Sequence, residues 1–480
     1  MSGAPQQLEK IALGWMRVRL SMLPFADAGS ADLPLPRLLR LSLFQVSVGM
    51  ATALMVGTLN RVMIVELGVS AALVALMVAL PLVFAPFRAL IGHRSDTFRS
   101  ALGWRRVPFI WFGTLIQFGG LAIMPFALLV LSGDSGAPVD VGKFAAALAF
   151  LMVGAGIQTT QTAGLALATD LAAEGTRPRV VALMYVMLLV GLFVSGFAFA
   201  ALLQDFSPLR LIQVIQGCAL LTMILNVIAL WKQEPRDPAR TMRTEPDIDF
   251  RTAWRSFAEI PHAKRFLVAV GLGTAAFSMQ DILLEPYGGE VLGQTVAQTS
   301  LLTGLLAASA LAAYALSARA LVKGFDAYRL AAYGVLLGVP GFSAIIFAGP
   351  FESAWLFRCG VALIGFGGGL FAVATLTAAM GIDISGRSGL ALGAWGSVQA
   401  TAAGLAIALG GVLRDGLTAL GAGGALGPVL ADPANAYGVV YHIEILLLFL
   451  TLVAIGPLAR RRLDQAPARA EKFSLAQFPR

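Results

Sequence analysis

Asp281 and Glu285 stand four residues apart in an otherwise apolar stretch, and Gln280 precedes the first of them. Residues at that spacing share one face of a helix. An ionisable side chain inside a membrane segment is costly enough to be a functional hypothesis by default. Arg61 ends a different apolar run and is a cation that could pair with either acid. A third run is interrupted by Gln158, Thr159, Thr160, Gln161 and Thr162, whose amides and hydroxyls hydrogen-bond without carrying charge. Ion pairing, proton uptake and polar contact with a solute are the chemistries on offer.

Enzymatic chemistry finds no comparable set. There is no phosphate-binding loop, no metal-ligand cluster and no nucleophile with a base at a telling spacing. The run Gly365-Phe366-Gly367-Gly368-Gly369 falls in mid-membrane with no strand before it, so it does not read as a phosphate cradle. Of three histidines, His93 and His262 lie in polar segments, while His442 enters an apolar run with Glu444 nearby. The expectation is a protein that is not an enzyme.

The elements that must position these groups follow from composition. The chain has 480 residues, 58% hydrophobic and 13% charged, with a mean hydropathy of +0.79. A water-soluble globule of this length does not show that balance. Taking about 20 apolar residues per crossing, spans are expected near 41–60, 70–91, 107–131, 143–168, 180–203 and 209–231, then near 266–287, 297–318, 328–348, 353–379, 388–413 and 438–458. The fold class is therefore an all-α polytopic membrane protein with twelve crossings. The longest polar stretch, 232–265, separates a six-helix half at 41–231 from another at 266–458, with terminal segments at 1–40 and 459–480. In the first segment Leu8, Ile11, Ala12, Trp15, Val18 and Met22 form a helical stripe suited to lying on a lipid surface. Phe250, Ala253, Trp254 and Phe257 form another ahead of the second half. No cleavable signal is expected, because the first apolar run follows Glu9, Asp27 and Asp32.

Charge sets the expected orientation. Of 35 Lys and Arg residues, only Arg61, Lys143, Arg210, Arg358 and Arg414 fall on one side of the proposed spans. The positive-inside rule then places both termini in the cytoplasm. The net charge of +8 thus reads as loop charge facing lipid headgroups, not as a nucleic-acid site. Cys218 and Cys359 sit in separate apolar runs and read as small core residues.

Two local patterns recur. The loop after the second span holds Gly92, Asp96, Arg99, Gly103, Arg105 and Arg106. Gly154 and Gly156 precede Asp170 at the same intervals at which Gly367 and Gly369 precede Asp383, and Arg177 and Arg387 follow the two acids. Spans four and ten then correspond, as expected of two related halves. Small-residue pairs such as Gly191 with Ser195, Gly365 with Gly369 and Gly404 with Ala408 allow close helix packing.

The Gly92 to Arg106 loop resembles the loop between helices two and three of the major facilitator superfamily. Longer strings are more specific: Leu59 to Glu66, Pro81 to Gly113, Thr169-Asp170-Leu171 running to Arg177-Pro178-Arg179, and Met279 to Tyr287 resemble the PucC/LhaA type of light-harvesting assembly proteins, a bacteriochlorophyll-delivery branch of that superfamily. The resemblance spans roughly Leu38 to Arg461. It implies a major facilitator fold, the inner or intracytoplasmic membrane of a photosynthetic purple bacterium, and help in building an antenna complex, the core antenna favoured over the peripheral one. Implied partners are antenna polypeptides, bacteriochlorophyll or its late biosynthetic enzymes, and membrane lipid.

The superfamily lines its central cavity with spans one, four, seven and ten. The resemblance therefore makes Arg61, Gln158, Gln161, Gln280, Asp281 and Glu285 cavity or gate candidates. Arg61 is expected either to close the cavity against Asp281 or Glu285, or to form a static ion pair or snorkel to the headgroups. Bacteriochlorophyll a, as transient cargo, needs one axial donor for its magnesium. His442 is the candidate, with interfacial hydrogen bonding as its other reading. The functional alternative is a proton-coupled secondary transporter of a small solute or pigment precursor.

Overall fold

A computed structural model describes residues 33–83, 95, 104–133, 136–173, 176–234, 262–380, 388–422 and 433–464. Both expected surface stripes, Gly92, Asp96, Arg99, Gly103, Asp383, Arg387 and the last residues of the tail lie outside the described residues. Described elements are helical throughout, as a bilayer demands of a chain that must satisfy its backbone internally. In order they are α1 Leu35–Glu66, α2 Ala71–Val83, α3 Val107–Leu131, α4 Val139–Leu171, α5 Arg177–Leu202, α6 Pro208–Leu230, α7 Ala263–Glu290, α8 Val296–Val322, α9 Ala327–Ala348, α10 Ala354–Met380, α11 Ser388–Ala422 and α12 Pro433–Asp464. Eleven contain stretches long and apolar enough to cross a bilayer. The twelfth, α2, is described only to Val83, short of the 70–91 expected for it.

The two halves repeat one packing plan. Helix α3 runs along α4 and α9 along α10, while α6 packs on α1 and α3 as α12 packs on α7 and α9. An arginine near the start of each half ties its first helix to its last. Arg37 donates to the Gln233 carbonyl just past α6 at 2.6 Å, and Arg265 donates to the Ala454 and Val453 carbonyls of α12, both at 2.9 Å. Between halves α2 meets α11 and α5 meets α8. Both contacts are backbone-close: a Cβ on Gly411 would lie 2.6 Å from the Ala71 carbonyl oxygen, and one on Gly196 would lie 2.6 Å from Gly304 Cα.

The glycine repeat is present in a shifted register. Gly154 meets Pro81 of α2 and Gly156 meets the Gly113 to Gln117 turn of α3, whereas Gly367 meets the α9 backbone at Gly334 and Gly365 meets α8 at Leu306. Gly154 thus plays the part of Gly365, and Gly156 that of Gly367, two residues earlier than equal spacing from the acids implied. Two residues turn a helix by about 200°, so only the shifted pairing keeps each glycine on the same neighbour.

Among the described residues, irregular winding within a span occurs in the first helix of each half. Within α1, Ala53–Leu59 and Val62–Glu66 are π-helical; within α7, Met279–Ile282 tightens to a 3₁₀ turn. Proline explains part of the break. Pro286 has no N–H to give the Ile282 carbonyl four residues back. That carbonyl instead accepts from Asn60 Nδ2 of α1 at 3.0 Å.

Candidate functional site

The breaks in α1 and α7 face one cavity of about 360 Å³ between the halves, walled by α1, α2, α4, α5, α7, α8 and α11. Its polar lining is Gln158, Gln280, Asp281, Glu285, Thr52 and Thr303; the remainder, including Met55, Val78, Leu192 and Ile407, is mostly apolar. Glu285 is buried and accepts from Thr303 Oγ1. Gly57 makes room for that pair, since a Cβ there would lie 2.5 Å from Glu285 Oε1. Gln280 donates to Asp281, its neighbour, and to the Phe277 carbonyl. The cavity therefore presents carboxylate and amide oxygens from α7 opposite one amide from α4, with no basic side chain among the described residues of its wall. Such a surface can bind a cation, a proton or a hydrogen-bond donor.

Four of the six residues expected at the cavity line it: Gln158, Gln280, Asp281 and Glu285. Gln161 lies outside the lining, its Nε2 3.4 Å from Gln45 Oε1 of α1. Arg61 is not seated as a gate against these acids. It pairs with Glu66 on its own helix, donates to the Gln294 carbonyl at 2.9 Å, and forms no ion pair with Asp281 or Glu285. The π-helical winding is the reason: at about 4.4 residues per turn, five residues return a side chain close to the same face, which brings Glu66 to Arg61. Arg61 still bridges the halves, through the backbone of the α7–α8 turn.

A second clasp on the same face went unforeseen. Arg414 of α11 pairs with Glu290 of α7 and, at 2.9 Å, with Asp415, and its guanidinium carbon lies 4.9 Å from the centre of the Tyr437 ring of α12. Tyr437 donates to Glu290 at 2.8 Å, and Asp415 accepts from the Ala72 N–H of α2 at 2.6 Å. The Asp415 bond caps the free amides at the start of α2 with an anion, which is where the helix dipole favours one. Adjacent opposite charges at the end of an apolar run were the available signal, but partners from three other helices could not be read from it. Glu444 was also missed. It is fully buried on α12, and neither carboxylate oxygen has a hydrogen-bond partner among the described residues.

On the opposite face, Arg106 donates to Asp170 at 2.9 Å and to Ser95, and Arg105 reaches Asp170 at 3.5 Å. Two sequence patterns, the basic loop and the acid ending α4, thus meet. Glu234 accepts from the backbone N–H groups of Arg105, Arg106 and Val107 at 2.8 to 3.2 Å, capping α3. The backbone of Arg177 opens α5. His442 is not at the cavity: it is exposed on α12, with Nδ1 2.7 Å from the Gly438 carbonyl. Cys218 is buried and Cys359 half-buried, and both are free.

Two six-helix halves with one packing plan, a cavity between them and a clasp at one end define a multi-pass membrane protein of the major facilitator fold. A bacterial homologue of the human lysosomal transporter Spinster, crystallised inward-facing and unoccupied, superposes with a TM-score of 0.66 at 16% identity, over 90% of this chain and 98% of that one. More specifically, the chain belongs to the PUCC protein family, whose profile matches residues 58–463. It is 56% identical to Protein PucC of Rhodovulum sulfidophilum over 82% of this chain and 88% of that protein. It is 54% identical to a Rhodobacter capsulatus protein described as an uncharacterized protein in the puhA-bchM intergenic region, over 96% and 97%. A more distant Rhodobacter capsulatus relative, 29% identical over 90% and 97%, is named bacteriochlorophyll synthase 44.5 kDa chain.

Proposed function

We propose that this protein is a membrane assembly factor for a bacterial light-harvesting antenna, the core antenna before the peripheral one, which holds bacteriochlorophyll and hands it to antenna polypeptides. Membership of the PUCC family carries the reading, and a relative named for bacteriochlorophyll supports it. It would act in the inner or intracytoplasmic membrane with both termini in the cytoplasm, where the arginine-rich loop ends face. The central cavity bears on how the pigment is held. At about 360 Å³ it is near the lower end of ligand pockets, which run from about 300 to 1,000 Å³. A tetrapyrrole with its isoprenoid tail is larger than the drug-sized molecules such pockets enclose, which favours engagement from an outward face and brief residence.

The experiment is purification from pigment-making cells followed by an absorption spectrum and peptide analysis. Bound bacteriochlorophyll and co-purifying antenna helices are expected; a colourless preparation that drives solute uptake in vesicles would overturn the proposal. Proton-coupled transport of a small solute is the second reading. Asp281 and Glu285 at the cavity and the fully buried Glu444 favour it, since such acids are the usual elements of proton relays. A strain lacking the protein that loses one antenna and keeps the other identifies the client.

A further inference from the structure

His442 lies where a bilayer gives histidine no ordinary partner. Its helix is an apolar span over Ala434–Ala459. At 1.5 Å per residue His442 is about 12 Å along the helix from Ala434, deeper than a headgroup layer. Leu446, Phe449, Leu450 and Val453, exposed at 56%, 50%, 44% and 68%, follow it at helical offsets of four, seven, eight and eleven. All share one outward stripe, which holds no charged side chain. Glu444, two residues on, turns inward and is buried. The imidazole therefore faces lipid.

Its hydrogen bond fixes its chemistry. Nδ1 is 2.7 Å from the Gly438 carbonyl oxygen, which can only accept, so Nδ1 bears the proton and donates. In the neutral ring with Nδ1 protonated, Nε2 carries the lone pair, and no described group hydrogen-bonds to it. An imidazole whose other nitrogen is tied to a backbone carbonyl is the arrangement that orients metal-ligating histidines. A helical side chain leans over the turn before it, which here is Gly438. Nothing lies within 4 Å of where a Cβ on Gly438 would be, so a flat ligand can come up to the ring nitrogen.

We infer that the outward face of α12 binds a magnesium tetrapyrrole dissolved in the membrane, with His442 Nε2 as axial ligand and the stripe from Leu446 to Val453 beneath the ring and tail. The stripe's lack of charge selects the occupant: an esterified, neutral macrocycle with one open coordination position fits, whereas a hydrated metal ion or a macrocycle with free carboxylates would be left without its water or counter-ions. The inference rests on the pigment-handling reading above, and it moves the cargo from the cavity to the lipid-facing side.

The test is titration of the purified full-length protein in lipid nanodiscs with bacteriochlorophyll a, read by absorption and by resonance Raman bands that report magnesium coordination. Wild type is expected to bind with a five-coordinate signature. His442→Leu should weaken binding about tenfold or more and change that signature. Gly438→Leu, which leaves the imidazole but blocks its approach, should do the same. In His442→Gly, added imidazole should restore the signature, which a merely structural histidine would not permit. Unchanged binding and coordination in His442→Leu would overturn the site while leaving the pigment reading intact. Failure of wild type to take up pigment would overturn both.

Discussion

Among the described residues, the polar contacts at the two ends of the helical bundle differ in what they join. On the Arg106 face, the described polar contacts stay within a half: Arg106 to Asp170, Glu234 to the start of α3, Arg37 to Gln233, and Arg265 to α12. On the Arg414 face Arg414, Glu290 and Tyr437 likewise join helices of one half, but a further set crosses between halves. Asp415 holds Ala72, Arg61 holds Gln294, and one layer deeper Asn60 holds Ile282 and Thr58 meets Ser300 at 3.0 Å. The first end stiffens each half as a body, and the second fastens the bodies together.

Breaking the Arg414 clasp should have the largest effect. Arg414→Ala strands Glu290 and frees Asp415, and for a pair this well shielded a loss of about 2 to 3 kcal/mol is expected. Thermal unfolding in detergent reads the loss, and spin labels on α2 and α11 should separate. Arg106→Ala sharpens the contrast. Its side chain is only 6% exposed, so a loss of about 1 to 2 kcal/mol is expected, yet the α2–α11 label distance should stay at its wild-type value. If Arg106→Ala moves that distance as Arg414→Ala does, the division of labour is wrong. Asn60→Leu should lose about 1 kcal/mol by leaving the Ile282 carbonyl unsatisfied. Pro286→Ala, which restores an N–H to α7, should recover most of that loss in the double variant. Arg105→Ala should be smallest, within about 0.5 kcal/mol, because its contact with Asp170 is long and its side chain 28% exposed.

What could be read ahead of the structure follows interaction range. The spans, the break between halves and the acids of α7 are local hydropathy events, and the helices fall close to where hydropathy put them. Arg105 and Arg106 stood out as a basic loop and Asp170 as part of a repeat, but nothing in either string named the other as partner. Arg414 reads as an isolated positive charge because Glu290 and Tyr437 reach it, and Ala72 reaches its neighbour Asp415, from distant parts of the chain. Arg61 misled for a different reason. Its expected partners, Asp281 and Glu285, lie on another span, and a π turn supplies Glu66 of its own helix instead. The glycine repeat was found by equal intervals, while packing obeys helix phase, so the match came out two residues displaced.

Asn60 and Pro286 lie on different halves, yet neither makes sense alone. The imino acid creates a backbone vacancy that the amide fills, and an amide at that depth without the vacancy would have nothing to hold. The two positions are therefore bound to a common fate as sequences diverge: descendants that replace one should replace the other, and a chain carrying a single change should betray it by a compensating polar group within reach of the same oxygen.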